Sequence, residues 1–339
     1  MTLDPALLAR WPAGLLPVMC FLAALMMLDS YKLVRLRTVV FLIALGGIAA
    51  GIGYLVNLVA IGALQLDLIR YSRYVAPLVE ELAKGAIIVA MLRAHRIGFL
   101  VDAAICGFAV GTGFALVENL YYLQLLPGAD IGVWILRGFG TAIMHGGATA
   151  IFAIVALALV ERRGSAALTS FLPGLAIAVS LHSAYNHFFG SPVVSTVGIL
   201  LVLPPLIAFV FRRSERAVEA WLGPGFDADT ELLELINSGK LSASPVGNYL
   251  QALRRGFRGE VVADLLCYLR LHVELGLRAK GVLMLHEEGL DVAIDDATRA
   301  KFDELRYLER SIGPTALLAI KPFRHLRRKE LWQLFLLDR

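Results

Sequence analysis

Two adjacent carboxylates and an ammonium, Glu80, Glu81 and Lys84, interrupt a run that is otherwise apolar from Val75 to Leu92. On a helix, Glu80 and Lys84 stand at i and i+4, and Glu81 and Lys84 at i and i+3, so the lysine can pair with either carboxylate. One positive charge cannot neutralise two negatives. The surplus carboxylate must hold a proton, meet another partner or face water. A charge at membrane depth costs about 2.5–3.5 kcal/mol on insertion scales, and ionisable groups kept there mark functional sites by default.

Three later apolar runs carry further polar groups. Glu118 lies in Phe114-Ala115-Leu116-Val117-Glu118-Asn119, preceded by Gly107, Gly111 and Gly113, which allow close helix approach. Arg137, Thr141, His145 and Thr149 recur every four residues and so share a helix face. His182 and Asn186 do the same in the run that ends at His187. Singly, each has a plain structural explanation: a histidine bonded within a bundle, an asparagine bridging helices, Arg137 as an anchor snorkelling to the interface. Together, Glu80, Glu81, Glu118, His145, His182 and Asn186 suit the activation of water for attack on a carbonyl. A carboxylate in apolar surroundings holds its proton more firmly. Such a group can take a proton from water and return it to a leaving amine. His182 and Asn186 can donate hydrogen bonds to the developing oxyanion. Glutamate and histidine can also ligate zinc, but no His-Glu-x-x-His spacing is present, and neither a metal nor a cofactor is expected.

The elements that position these groups are apolar runs. Hydrophobic residues make up 58% of the chain, whose mean hydropathy is +0.70, which indicates a polytopic membrane protein. Of the 60 Asp, Glu, Lys and Arg residues, 21 fall in residues 1–211 and 39 in 212–339. A transmembrane domain over 1–211 and a soluble, mostly helical domain over 212–339 follow. Seven apolar segments are expected, at about 12–29, 39–63, 74–92, 99–126, 131–160, 169–189 and 192–211. Lys32, Arg35, Arg37, Arg93, Arg96, Arg162, Arg163, Arg212, Arg213 and Arg216 would all lie on one side. Positive-inside bias then puts the N-terminus outside and the second domain in the cytoplasm. At 1.5 Å per residue, Glu80, Glu118 and His182 come to about 9, 12 and 11 Å from the outer ends of their segments, which favours one shared site. His145 joins it at about 10 Å if its segment starts at Gly138, or lies at about 21 Å if it starts at 131.

The net charge of +4 speaks to topology and not to nucleic acid. Cys20, Cys106 and Cys267 are too scattered for a disulfide framework or a zinc site. No basic stretch precedes the first apolar run, so a retained helix is expected there and not a cleaved signal peptide. In the second domain, Asp229-Thr230 is expected to cap a helix ending near Gly239, and Ser244-Pro245 to open another. Amphipathic stretches follow at about 259–288 and 295–310, and a basic, aromatic one at 322–337 suits either the inner membrane surface or packing within the domain.

Glu-Glu-x-x-Lys at 80–84, Phe-x-x-x-Glu-Asn at 114–119 and a His-x-x-x motif in a later helix resemble the PrsW-type intramembrane glutamic peptidases. These belong to a wider membrane group with the CAAX prenyl endopeptidases. The resemblance covers about residues 10–211. It implies that Glu80 and Glu81 are the essential pair, Glu118 the Glu of the second motif and His182 the late His. Asn186 stands where PrsW members often have Asp and the prenyl endopeptidases have Asn in an oxyanion role, which favours hydrogen bonding over acid–base work there. Characterised members cleave membrane-anchored anti-sigma factors, so a single-span substrate in a bacterial inner membrane is implied. A cation- or proton-coupled transporter could use the same groups, but no inverted repeat or matching pair of broken helices is present. A non-catalytic receptor signalling through the second domain is the third possibility.

Overall fold

The computed structural model describes residues 5–29, 34–163, 165–290 and 293–319, and the chain divides into two compact units, 1–214 and 215–339. In the first unit, α1 (Pro5–Met27) and α2 (Leu36–Leu64) precede a short α3 (Leu68–Arg70), whose first turn is capped by the Asp67 carboxylate accepting from Arg70 N at 2.9 Å. The chain passes through a π-helical turn, Tyr71–Val75, into α4 (Ala76–Arg93). Then come α5 (Leu100–Leu125), α6 (Ile131–Leu136), a second π-helical turn Arg137–Ala142, α7 (Ile143–Arg163), and α8 (Leu172–Asn186). The unit closes with the first part of α9 (Pro192–Asn237).

The hub is α5. Every residue from Val101 to Ala115 is buried, as expected of a helix apolar on all sides. It can be enclosed this closely because its neighbours meet it through glycine. A Cβ on Gly113 would strike the Ile43 carbonyl of α2, and one on Gly111 would strike the His145 carbonyl of α7. Gly111 is therefore a spacer for the helix that carries His145. Gly111→Ala is expected to lower stability by about 1–3 kcal/mol, the usual penalty of overpacking, and to cut activity by displacing His145. Thermal unfolding of the purified variant, with an activity assay on the same sample, checks this. A variant as stable and active as wild type would mean that α5 and α7 can separate freely.

The chain is all-helical, with no strand among the described residues. Among the described residues, five helical stretches are long and apolar enough to cross a membrane: Arg10–Met27, Leu36–Leu64, Leu100–Leu125, Ile131–Arg163 and Pro192–Ser214. The other two apolar segments read from the sequence, 74–92 and 169–189, fold as α4 and α8. α4 carries Glu80, Glu81, Lys84 and Arg93. The 15 residues of α8 reach about 22 Å, against a hydrocarbon core of about 30 Å.

The turn before α4 has a local cause. Pro77 has no N–H to give the Arg73 carbonyl four residues back, and the Ala76 N–H reaches past Ser72 to Tyr71 O. Two carbonyls thereby lose their usual donors. Ser183 Oγ donates to Arg73 O at 2.6 Å and Asn186 Nδ2 to Ser72 O at 2.9 Å. Thus α8 supplies what the π-helical register takes away.

In the second unit, α9 continues to Asn237, and α10 (Pro245–Leu253), α11 (Gly259–Glu287) and α12 (Asp296–Ala319) follow. Ser244 opens α10 as expected, its Oγ accepting from Gly247 N at 3.1 Å. Asp229 does not cap a new helix. Its carboxylate instead takes the buried Lys280 ammonium at 2.7 Å, and α9 runs on through that position. Leu265, Leu269, Leu275 and Leu283 of α11 are buried, as are Leu305 and Leu308 of α12. Gly313 kinks α12 with φ 76° and ψ 164°. The basic segment at 322–337, like Lys32, lies outside the described residues.

Candidate active site

Four helices converge on one polar cluster. Glu80 and Glu81 project from α4, Glu118 from α5, His145 from α7 and His182 from α8. Glu81 is 2% exposed, and its Oε1 accepts from Lys84 Nζ at 2.5 Å and from His182 Nδ1 at 2.9 Å. A carboxylate facing an ammonium can only accept, so the His182 proton sits on Nδ1. The bare Nε2 then faces Glu80 Oε2 across 3.8 Å.

Lys84 also reaches His145 Nδ1 at 3.1 Å. An ammonium can only donate, which makes that nitrogen the acceptor and leaves the proton of His145 on Nε2. Nε2 lies 2.8 Å from Glu118 Oε2. The other oxygen of Glu118 takes Arg137 Nη2 at 3.0 Å. Phe114 closes one side of the cluster, its ring 5.1 Å from that of His145 and 4.8 Å below Lys84 Nζ. His145 and His182 meet edge to face at 4.7 Å.

The charges sort themselves. Glu81 is paired with Lys84 and Glu118 with Arg137. Among the described residues no lysine or arginine lies within ion-pair distance of Glu80. It is the surplus carboxylate. Its contacts are His182 Nε2 on one side and, at 3.4 Å from Oε1, Asn57 Nδ2 of α2 on the other. Its side chain keeps 16% of its surface, against 1% for Glu81.

Asn186 lies one turn beyond His182, with its amide on Ser72 O and not among the carboxylates. Arg137 is no outward anchor. Its side chain is 16% exposed, lies over the Tyr122 ring at 3.9 Å, bonds Asn119 Oδ1 at 2.9 Å and clamps Glu118. Asn119 in turn donates to Gly14 O of α1 at 2.7 Å. Asn57 and Tyr71 join the cluster without any motif in the sequence, although Asn57 is the one side-chain amide in the 29 residues of α2. An amide so placed is costly unless bonded, and that was the available signal.

Glu80, His145 and His182 can each bring one donor atom within 4.8 Å of the others. Two imidazoles and a carboxylate form the donor set of many catalytic zinc sites. Both imidazoles also have a carboxylate on another ring nitrogen, Glu81 for His182 and Glu118 for His145, as ligating histidines usually do. The residues fit a divalent cation. Lys84 now holds the His145 Nδ1 lone pair, so a cation bound to that nitrogen would displace the ammonium from it.

A carboxylate–imidazole cluster enclosed by apolar helices has the groups that activation of water for hydrolysis would need. The chain matches the model of a family described as PrsW family intramembrane metalloprotease over residues 34–211, more than half its length. The protein belongs to the PrsW family. No match was found among curated proteins or solved structures. The matched span contains every residue of the cluster.

Proposed function

We propose that this intramembrane protease is an endopeptidase that hydrolyses a peptide bond in a single-span membrane protein, such as an anti-sigma factor, with Glu80 as the general base. The observation that carries this is the pairing pattern: Glu81 and Glu118 are held by cations, and Glu80 alone is left to handle a proton. Glu80 Oε2 and His182 Nε2, 3.8 Å apart, are spaced so that one water can bond to both. Glu80 takes a proton from that water as its oxygen forms a bond to the peptide carbon. It returns the proton to the leaving nitrogen as the C–N bond breaks. Glu81 holds His182 in the tautomer that keeps Nε2 turned to the water. In this tautomer the bare Nε2 accepts a hydrogen bond from the attacking water and so orients it. Asn186 supports that imidazole from one turn away, through Ser72 O and the chain leading into α4.

The carboxylates and imidazoles also support a metal-assisted reading, because Glu80, His145 and His182 have the donor set for it. A divalent ion held by these three residues would supply Lewis-acid polarisation of the carbonyl and a more acidic water. The deciding experiment uses purified protein in lipid nanodiscs with candidate single-span substrates, reading new termini by mass spectrometry and bound metal by elemental analysis. Cleavage that survives chelation to metal-free protein supports the glutamate mechanism. Cleavage lost on chelation and restored by zinc supports the metal reading. No cleavage of any single-span substrate would overturn the endopeptidase assignment.

Counting α4 and α8 as spans beside the five longer helices, in a bacterial inner membrane we place the N-terminus outside, residues 1–211 as the protease domain and residues 212–339 in the cytoplasm, because basic residues then cluster in alternate connections. Single cysteines introduced into a cysteine-free variant near Arg10 and near Ser238 should label from outside and from inside, respectively, in intact cells. Labelling near Ser238 from outside would invert the topology.

A further inference from the structure

We infer that Asn57, locked in orientation by Tyr71, is a positioning residue that aims Glu80. The inference rests on Glu80 being the proton-handling carboxylate. The three glutamates differ in what holds them. Glu81 and Glu118 are fixed by Lys84 and Arg137, and both have a histidine on them as well. Among the described residues no lysine or arginine pairs with Glu80, so something neutral has to set the torsion of its carboxylate.

Asn57 is placed to do so. Tyr71 is 2% exposed and lies in the π-helical turn ahead of α4. Its hydroxyl donates to Asn57 Oδ1 at 2.8 Å. With Oδ1 claimed by the tyrosine, Nδ2 is turned toward Glu80 Oε1, at 3.4 Å. Oε1 is thereby fixed, and Oε2 is the oxygen presented to His182 Nε2. Gly53, one turn before Asn57, borders the same side chain: a Cβ there would sit in ordinary van der Waals contact, 3.9 Å from Glu80 Cγ and 3.6 Å from Phe114 Cε2. A neutral amide also suits the task chemically. A lysine or arginine at this position would hold the carboxylate as an ion pair and make it a poorer base, whereas an amide orients it and leaves it free to accept a proton.

The bland alternative is that Tyr71 and Asn57 merely fasten α2 to the turn before α4. The two differ in what they predict for turnover. Misplacing a catalytic group by about 1 Å can cost about 10²-fold, and that loss falls on kcat when substrate contacts are untouched. The experiment measures kcat, KM and melting temperature for wild type, Asn57→Ala, Tyr71→Phe, the double variant and Glu80→Gln, all in nanodiscs with one cleavable single-span substrate. Asn57→Ala should lower kcat about 10²-fold with KM and melting temperature near wild type. Tyr71→Phe should lower it less, since only the lock is lost. The double variant should match Asn57→Ala, because Tyr71 acts through Asn57. Wild-type kcat in Asn57→Ala, or a loss that tracks the melting temperature, would overturn the positioning role. If Glu80→Gln cleaves normally, the general-base reading fails, and the positioning role fails with it. An inactive Glu80→Gln beside a fully active Asn57→Ala sinks the positioning role alone.

Discussion

Glu80→Gln should insert, fold and bind substrate like the wild-type protein, yet cleave at least 10²–10⁴-fold more slowly, about the contribution of a positioned general base. The amide keeps the shape of the side chain and can still meet Asn57 and His182. What it lacks is the ability to accept a proton from water. Because Glu80 is paired with no lysine or arginine among the described residues, the substitution leaves no buried cation without its partner. Stability should therefore change little, and the loss should fall on kcat. Glu81→Gln is expected to behave differently: it strips the carboxylate from Lys84 and His182 together, so melting temperature and activity should both fall. Single-turnover cleavage rates and thermal unfolding of the two variants separate the roles. Near-normal turnover in Glu80→Gln would remove it from the chemistry. Equal losses of stability in both would mean that the charge sorting among the three glutamates is wrong.

Lys84→Met should give the largest stability loss in the cluster. The Lys84 and Glu81 side chains retain 0% and 1% of their surface. Removing one partner of a buried ion pair leaves the other charge uncompensated, which typically costs about 3–5 kcal/mol. Adding Glu81→Gln to Lys84→Met removes the stranded charge, so much of the stability should return. Activity should not return, because His145 Nδ1 has lost the donor that holds its tautomer. Thermal unfolding and cleavage rates of the single and double variants give the answer. A double variant as unstable as the single one would show that the lysine stabilises the bundle by packing on Phe114 and not by its charge.

The polar cluster was legible in the sequence where a charge or an imidazole interrupts an apolar run, because such groups are costly there unless they have partners or work to do. Glu80, Glu81, Glu118, His145 and His182 stood out for that reason, and helical spacing correctly put Lys84 within reach of Glu81. Partner choice was harder to read. Arg137 resembles an interfacial anchor because its position near a helix end says nothing of the carboxylate on a neighbouring helix. Asn186 resembles an oxyanion donor until the π-helical turn before α4 is known, and no periodicity argument anticipates a carbonyl freed by a register change. Asn57 and Tyr71 are single residues on separate elements, joined only in three dimensions. In the second unit, Asp229 followed by Thr230 has the chemistry of a cap, but a buried lysine 51 positions later claims the carboxylate.

Pro77 gives the architecture a modular grammar. Restoring an N–H at this position would return the Arg73 carbonyl to its own helix and leave the Ser183 hydroxyl, 110 residues away, to find another acceptor. Position 77 and the pair 183 and 186 are thus one unit written in two places. A chimera that borrows the acidic helix of this protein must borrow its short histidine helix with it. Glu80 and the imidazole that faces it would then travel together.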